Sequence, residues 1–199
     1  FGNKKARDLF RGQWKATDEL RTRLPHKTGK QHRVWIHVAS VGEFEQARPI
    51  IERLRSEHPQ VEIILTFFSP SGYNLRKDYD QVNAVTYLPF ATCRNARLFL
   101  DVVKPDMAIF VKYEFWPAYL RELHKRHIKT YSISAIFREK QAFFRWYGKP
   151  YRNILKYFTA IYVQDEASAQ LLQQYGIAKS AQAMQSEDAV RVEVAGDTR

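Results

Sequence analysis

One cysteine in 199 residues leaves Cys93 without an intrachain disulfide partner, which excludes a disulfide-stapled scaffold and suits a reducing compartment. Long hydrophobic runs are missing as well. With no stretch of about 18 apolar residues, no segment reads as a membrane-spanning helix. Neither GxGxxG nor GxxxxGKS/T occurs, which removes the dinucleotide fingerprint and the phosphate-cradling P-loop. Acidic residues are few: 21 Asp and Glu stand against 32 Lys and Arg, a formal charge of +11. Such an excess calls for an anionic partner, whether nucleic acid, acidic lipid or a phosphorylated substrate. What is present in quantity is apolar and aromatic, 45% and 14% of residues, too much for a disordered chain. The length fits one domain with an appendage. The chain opens at Phe1 without methionine and is read as a fragment, so its start is uninformative about a signal peptide or anchor.

The positive charge is unevenly placed. Through Arg33 there are 10 basic residues against Asp8, Asp18 and Glu19, so a third of a short arm carries most of the net charge. Leu9, Phe10, Trp14 and Leu20 give this stretch only a thin apolar stripe. The pattern predicts short, mostly exposed helices closed by Pro25 and Gly29, a basic arm over residues 1–33 ahead of the main domain, 34–199.

From Val34 onward, β-rich apolar runs alternate with helical patterns. Strands are expected at Val34–Ala39, Val61–Thr66, Ala84–Leu88, Met107–Val111, Ile128–Ile133, Ile161–Gln164 and Val190–Val194. Helices are expected after Gly42 and at Ser71–Tyr79, Arg94–Val103, Pro117–His127, Lys140–Phe158 and Glu166–Tyr175. This alternation argues for an α/β fold, a parallel sheet with helices on both faces. The stretch from Ala178 to Ala189, rich in Ala, Gln and Ser, reads as an exposed helix or loop.

In open α/β sheets ligands sit outside the carboxyl ends of the strands, so the strand-to-helix loops carry the candidate chemistry. Ser40-Val41-Gly42-Glu43 follows the first strand. It presents a carboxylate in the first turn of a helix, beside a glycine that lets a ligand approach the backbone, an arrangement suited to accepting a proton. The same Ser-x-x-Glu is also a capping box, and the residues alone leave both readings open. Ser69-Pro70-Ser71-Gly72 follows the second strand and could hold phosphate or sugar hydroxyls, or simply start a helix. Lys112-Tyr113-Glu114-Phe115-Trp116-Pro117 follows Met107–Val111 and would bring Glu114 to the same sheet edge as Glu43, as a working pair or as a Lys112–Glu114 ion pair. His124 and His127 are spaced like a metal pair but lack a third ligand, and His37 reads as packed in the sheet.

Drawn as one helix, Lys140–Phe158 would gather Phe144, Tyr147, Tyr151, Leu155 and Phe158 on one side and Arg145, Lys149, Arg152 and Lys156 on another. That describes either a helix lying on an anionic bilayer or a core-facing helix with a solvated basic face. A nucleic-acid-binding module is the alternative of a different class, but no RNP, helix-turn-helix or zinc-finger signature supports it, and no nucleic-acid partner is expected.

HVASVGE (His37–Glu43), TFFSPSG (Thr66–Gly72), YLPF (Tyr87–Phe90), EFWP (Glu114–Pro117) and VAGDTR (Val194–Arg199) together resemble, in order and spacing, one family. It is the amino-terminal domain of the 3-deoxy-D-manno-octulosonic acid (Kdo) transferases of lipopolysaccharide synthesis, and the resemblance runs from about Phe10 to Arg199. It implies the Rossmann-like, acceptor-binding half of a two-domain GT-B glycosyltransferase whose carboxyl half, outside this sequence, binds CMP-Kdo. The acceptor would be a lipid A precursor and the reaction a metal-independent inverting transfer with no cofactor, CMP-Kdo being the donor substrate. Glu43 would be the general base, with Glu114 beside it. Ser40, Gly42, Ser69, Ser71, Gly72, Lys112, Trp116 and Arg138 are the acceptor-binding candidates. Arg145, Lys149, Arg152 and Lys156, with the basic arm, would meet the anionic cytoplasmic face of the bacterial inner membrane. The resemblance also implies that the fragment alone is inactive. Nearer alternatives are other GT-B enzymes, such as a lipid disaccharide synthase or a nucleotide-sugar epimerase. The chain departs from the family's acid-x-acid-x-Trp-Pro-Asn run at Lys112 and Ala118, and from its Asn-Ala-Arg-Leu-Ser segment at Ser134–Arg138.

Overall fold

The computed structural model describes residues 4–29, 31–178 and 190–197. The elements in chain order are α1 (Lys4–Arg23), β1 (Arg33–Val38), α2 (Val41–Glu57), β2 (Glu62–Phe67), α3 (Pro70–Arg76), β3 (Ala84–Tyr87), α4 (Cys93–Val103), β4 (Met107–Val111), α5 (Pro117–Lys125), β5 (Lys129–Ala135), a 3₁₀ turn (Ala142–Phe144), α6 (Lys149–Leu155), β6 (Ala160–Val163), α7 (Glu166–Gln174) and β7 (Arg191–Val194). The strands form one parallel sheet in the order β3-β2-β1-β4-β5-β6-β7. This is the Rossmann-like α/β fold expected from the alternation. The chain runs outward from β1 in one direction and returns to build outward from β4 in the other, so β1 and β4 flank the switch point at which such sheets bind ligands.

The central strands are apolar along nearly their whole length because both faces are covered, as a parallel sheet requires. Trp35, Ile64, Ala108 and Phe110 face one way, into a core built with α4, α5 and the buried ends of α6 and α7. Val34, Ile36, Val38, Ile63, Leu65, Phe67, Ile109 and Val111 face the other, against Phe44, Ala47 and Ile51 of α2. Trp35 is wedged among Phe99, Phe110 and Tyr119 at centroid separations of 4.9, 5.1 and 5.5 Å, which fixes β1 side-on to α4 and α5.

Three expectations are corrected. The basic arm is not a set of short helices: α1 is a single 20-residue helix, mostly exposed as expected, but with Gln13, Ala16 and Leu20 buried and with contacts to β3 and α4. Gly12 lets it lie flat, since a Cβ there would come within 2.3 Å of the Tyr87 ring. Arg33 belongs to β1 rather than to the arm. Its guanidinium is buried, donating to Glu62 Oε2 through Nε at 2.8 Å and to Val103 O through Nη1 at 2.7 Å, while its amide donates to Asp106 Oδ2 at 2.7 Å. The stretch Lys140–Phe158 is not one helix either. Pro150 is tolerated only in a first turn, so α6 starts anew at Lys149, and Gly148 folds so tightly onto the 3₁₀ turn that a Cβ would lie 2.2 Å from Ala142 O. Ala178 is buried and bridges Val190. The rest of the stretch expected as an exposed helix or loop, 179–189, lies outside the described residues.

Candidate active site

The β1–α2 turn behaves as its sequence suggests. Ser40 is the N-cap, extended at φ −140°, and its hydroxyl accepts from the Glu43 amide at 3.4 Å. The Glu43 side chain turns back, as in a capping box, but its Oε2 takes the amide of Ala39, one residue before the cap. Gly42 is exposed, and a Cβ there would meet only Ser40 Oγ, at 3.9 Å, so the backbone at the helix start stands open. Burial pushes the Glu43 carboxyl up to about 7; the Ala39 amide pulls it down, nearby Glu114 raises it further and Lys112 opposes that rise.

Glu114 arrives from the β4–α5 loop, and the residues around it explain how. Lys112 leaves β4 with φ +59°, a left-handed turn uncommon outside glycine, and donates its amide to Ile133 O at 2.9 Å. Phe115 stacks on Phe137 at 5.7 Å and packs edge-on to Phe143, while Trp116 lies against Phe68 at 5.3 Å. Pro117 at the start of α5 holds Trp116 extended. With the two residues that follow it held by these ring contacts, Glu114 reaches His37 of β1. Its Oε2 lies 2.7 Å from Trp116 Nε1 and 3.0 Å from His37 Nε2.

His37 is the residue that sequence reasoning undervalued. It is fully buried in β1, as expected, but it is not inert packing, because its ring links Glu114 to Thr66 Oγ1, 2.9 Å from Nδ1. Thr66 in turn accepts from Trp35 Nε1 at 2.8 Å. The available signal was a titratable ring inside an otherwise apolar strand, one strand away from a loop carrying a carboxylate. Asp197, in the VAGDTR stretch, accepts from Gln46 of α2 at 3.0 Å, so that motif also reaches α2 one turn beyond Glu43.

The other expected site residues divide. Ser69 caps α3 without a side-chain bond, and its hydroxyl pairs with that of Ser71 at 2.7 Å. Gly72 is not an open ligand platform: it is buried, and a Cβ would sit 2.7 Å from Phe67, so its smallness serves helix-to-strand packing. Lys112 and Trp116 are with Glu43 and Glu114. Arg138 leans on Asp165, the N-cap of α7, at 3.0 Å. Of the four basic residues expected at a membrane surface, Arg145, Lys149 and Lys156 are exposed, but Arg152 is engaged. It donates to Phe143 O at 2.6 Å and lies 5.1 Å from the Tyr175 ring centroid, because the chain folds back there instead of continuing as a helix. Phe144, Leu155 and Phe158 are buried as the apolar stripe requires, whereas Tyr147 and Tyr151 are exposed and Trp146 is 93% so.

Beside Trp116 opens a cavity of about 240 Å³ lined almost wholly by carbon, from Leu9 and Phe10 of α1, Phe68, Leu88 and Phe90. Trp14, one turn along α1, is 79% exposed. Among the described residues there is no group of three or more His, Cys, Asp or Glu that could hold a metal ion, and no helix long and apolar enough to cross a membrane.

A family model described as 3-deoxy-D-manno-octulosonic-acid transferase (kdotransferase) matches residues 18–187. Proteins named 3-deoxy-D-manno-octulosonic acid transferase are similar in sequence: that of Rickettsia bellii is 27% identical over 158 residues, 78% of this chain and 37% of the relative. That of Rickettsia typhi is 31% identical over 150 residues, 74% and 32%, and that of Aquifex aeolicus 36% over 86 residues, 43% and 24%. The chain thus spans about a third of the length of the curated relatives it matches. Among solved structures, a UDP-N-acetylglucosamine 2-epimerase superposes with a TM-score of 0.56 at 13% identity, covering 84% of this chain and 49% of the other. The UDP-GlcNAc 2-epimerase of Neisseria meningitidis gives 0.53 at 16%, covering 83% and 47%. At such identities the likeness is one of fold.

Proposed function

From a chain that belongs to the 3-deoxy-D-manno-octulosonic acid transferase family, we propose the acceptor-binding half of an enzyme that moves Kdo from CMP-Kdo to a lipid A precursor. The observation that carries the reading is Glu43, a carboxylate at the open start of α2, beside the β1/β4 switch point, with its proton affinity raised to about 7. A base of that strength is matched to neutral pH. In the proposed step Glu43 takes the proton from an acceptor hydroxyl as its oxygen bonds to the anomeric carbon of the donor. The bond from that carbon to the CMP phosphate oxygen breaks, the configuration inverts, and the electron pair leaves with CMP. Departure as a phosphate anion makes little demand on a metal or another cofactor. Glu114 and Lys112 set the field around Glu43, and the exposed hydroxyls of Ser69 and Ser71 are placed to meet sugar or phosphate oxygens. The carbon-lined cavity between α1 and Trp116 suits an acyl chain of the acceptor.

The same reading accounts for the surface. Trp146, Tyr147 and Tyr151 are exposed next to Arg145, Lys149 and Lys156, the mixture of interfacial aromatics and cations that anionic bilayers attract. We place the enzyme on the cytoplasmic face of the inner membrane, where a nucleotide-activated sugar is at hand.

The test is turnover of CMP-Kdo and tetraacylated lipid A precursor by the intact protein, its Glu43→Gln variant and the present fragment. The variant should lose about 10²–10⁴ in kcat, the usual worth of a general base, with folding preserved. The fragment should transfer nothing, since both substrates must be held together. Loss of less than about tenfold in the variant would leave Glu43 a helix cap and move the role to Glu114.

A further inference from the structure

We infer that His37 is a positioning residue that holds Glu114 as an oriented carboxylate opposite Glu43, through a directed chain of hydrogen bonds that starts in the core at Trp35. The direction of the chain follows from its donors. Indole N–H groups only donate, so Trp35 Nε1 gives its proton to Thr66 Oγ1 at 2.8 Å. The hydroxyl hydrogen then has two acceptors in reach, His37 Nδ1 at 2.9 Å and Ile36 O at 3.5 Å, and the shorter contact takes it. With Nδ1 accepting, Nε2 carries the ring proton and donates it to Glu114 Oε2 at 3.0 Å. Trp116 Nε1 lies 2.7 Å from the same oxygen and 3.1 Å from His37 Nε2. A protonated Nε2 cannot accept, so this indole also serves Glu114. Two N–H donors converging on one carboxylate oxygen suit an anion better than an acid.

The opposite tautomer fits worse. Were Nδ1 protonated, it would share Thr66 Oγ1 at 2.9 Å with the Trp35 indole or reach Thr66 O at 3.2 Å, and although Trp116 Nε1 could then donate to Nε2 at 3.1 Å, the lone pairs of Nε2 and Glu114 Oε2 would meet at 3.0 Å. His37 has no exposed surface, so no solvent water relieves that clash.

The consequence bears on the reaction proposed above, and this inference rests on Glu43 being its base. The groups facing Glu114 are His37 from β1, Trp116 and Lys112 from its own loop, and Glu43 across the switch point. A fixed negative charge at Glu114 makes proton uptake by Glu43 easier. Without His37 the Glu114 carboxylate would lose one of its two N–H donors and its fixed direction, the field it lays on Glu43 would weaken, and Glu43 would be the weaker base.

Two measurements on the intact protein test this. In the first, ¹⁵N spectra of histidine-labelled protein report which ring nitrogen of His37 is protonated, assigned by loss of its signals in a His37→Leu variant. A proton on Nε2 is expected, and an unprotonated Nε2 would overturn the inference whatever the protein's substrate proves to be. In the second, His37→Leu should lower kcat about 10- to 100-fold with both KM values within about twofold, and shift the acid limb of the rate profile to lower pH. His37→Gln, whose amide can still donate to Glu114, should recover kcat to within about fivefold of wild type. A His37→Leu profile that coincides with wild type, or a His37→Gln variant no better than the leucine one, sinks the idea. If the leucine variant fails to fold, assignment passes to His37→Gln and the spectrum of the unaltered ring decides. Failure of the Glu43→Gln test with Nε2 protonated would instead count against the proposed reaction alone.

Discussion

The sheet buries charge at both of its ends, and the two ends treat it differently. At the amino ends of β1, β2 and β4, the Arg33 guanidinium spends its donors on Glu62, Val103 O and Pro25 O, and Asp106 is bonded by the Arg33 amide and by Lys27 Nζ at 2.6 Å. Charges and partners are matched there, and the cluster joins the loop after α1 to β2 and the end of α4. At the carboxyl ends, Glu114 is matched but Glu43 is part-buried with one backbone amide and a carboxylate for a neighbour, so burial first and Glu114 second make it keep its proton up to about neutral pH. A buried charge that is fully paired acts as a fastener. One left partly unpaired at an open helix start can exchange its proton near neutral pH.

The comparison breaks hardest at the fastener. Glu62→Leu strands the buried Arg33 charge and should cost about 3–5 kcal/mol of unfolding free energy in denaturant titration of the intact protein, whereas the double change Arg33→Met/Glu62→Leu should recover most of it. At the other end the effect on stability is smaller and depends on pH. The folded Glu43 carboxyl titrates at about 7 against 4.5 for the free group, so the folded state keeps a proton that the unfolded chain releases. That contribution is full below pH 4.5 and is lost as pH rises through about 7. Glu43→Gln does not titrate, so its melting temperature relative to wild type should climb by about 2–5 °C between about pH 5 and about pH 8. In the same enzyme, kcat/KM should fall on the acid side of about 7 and the variant should lack that limb.

Trp116→Phe keeps the ring against Phe68 but removes one donor from Glu114. About a tenfold drop in kcat with little change in melting temperature is expected. The smallest effects belong to the surface. Reversing Arg145, Lys149 or Lys156 singly should weaken flotation with anionic vesicles by a few-fold at low salt and leave melting unchanged. Arg152→Glu should instead lower the melting temperature, because that guanidinium ties α6 to Phe143 O and Tyr175.

Legibility in the sequence followed range. The β/α alternation placed every strand to within a residue or two, since both faces of a parallel strand are apolar and the helices between announce themselves with Pro70, Pro117 and the cap Ser40. Once β1 and β4 are strands, Glu43 and Glu114 must come to the same edge, so the candidate site was readable too. The path of Lys140–Phe158 was not. Its apolar spacing picks out Phe144, Leu155 and Phe158 correctly as buried, yet the same spacing survives a fold-back at Gly148, which exposes Tyr147 and Tyr151 and recruits Arg152. Nor was the bond between His37 and Glu114 readable, as 77 residues separate them and the left-handed turn at Lys112, with the packing of Phe115 and Trp116, decides where Glu114 points.

Gly12 against the ring of Tyr87 has a mechanical meaning. With no side chain between helix and strand, the height of Phe10 and Trp14 above the carboxyl edge of the sheet is set by a backbone-to-ring contact instead of by a compliant spacer. Gly12→Val would act as a shim, levering α1 off the Tyr87 ring and reshaping the carbon-lined cavity that Phe10 shares with Trp116.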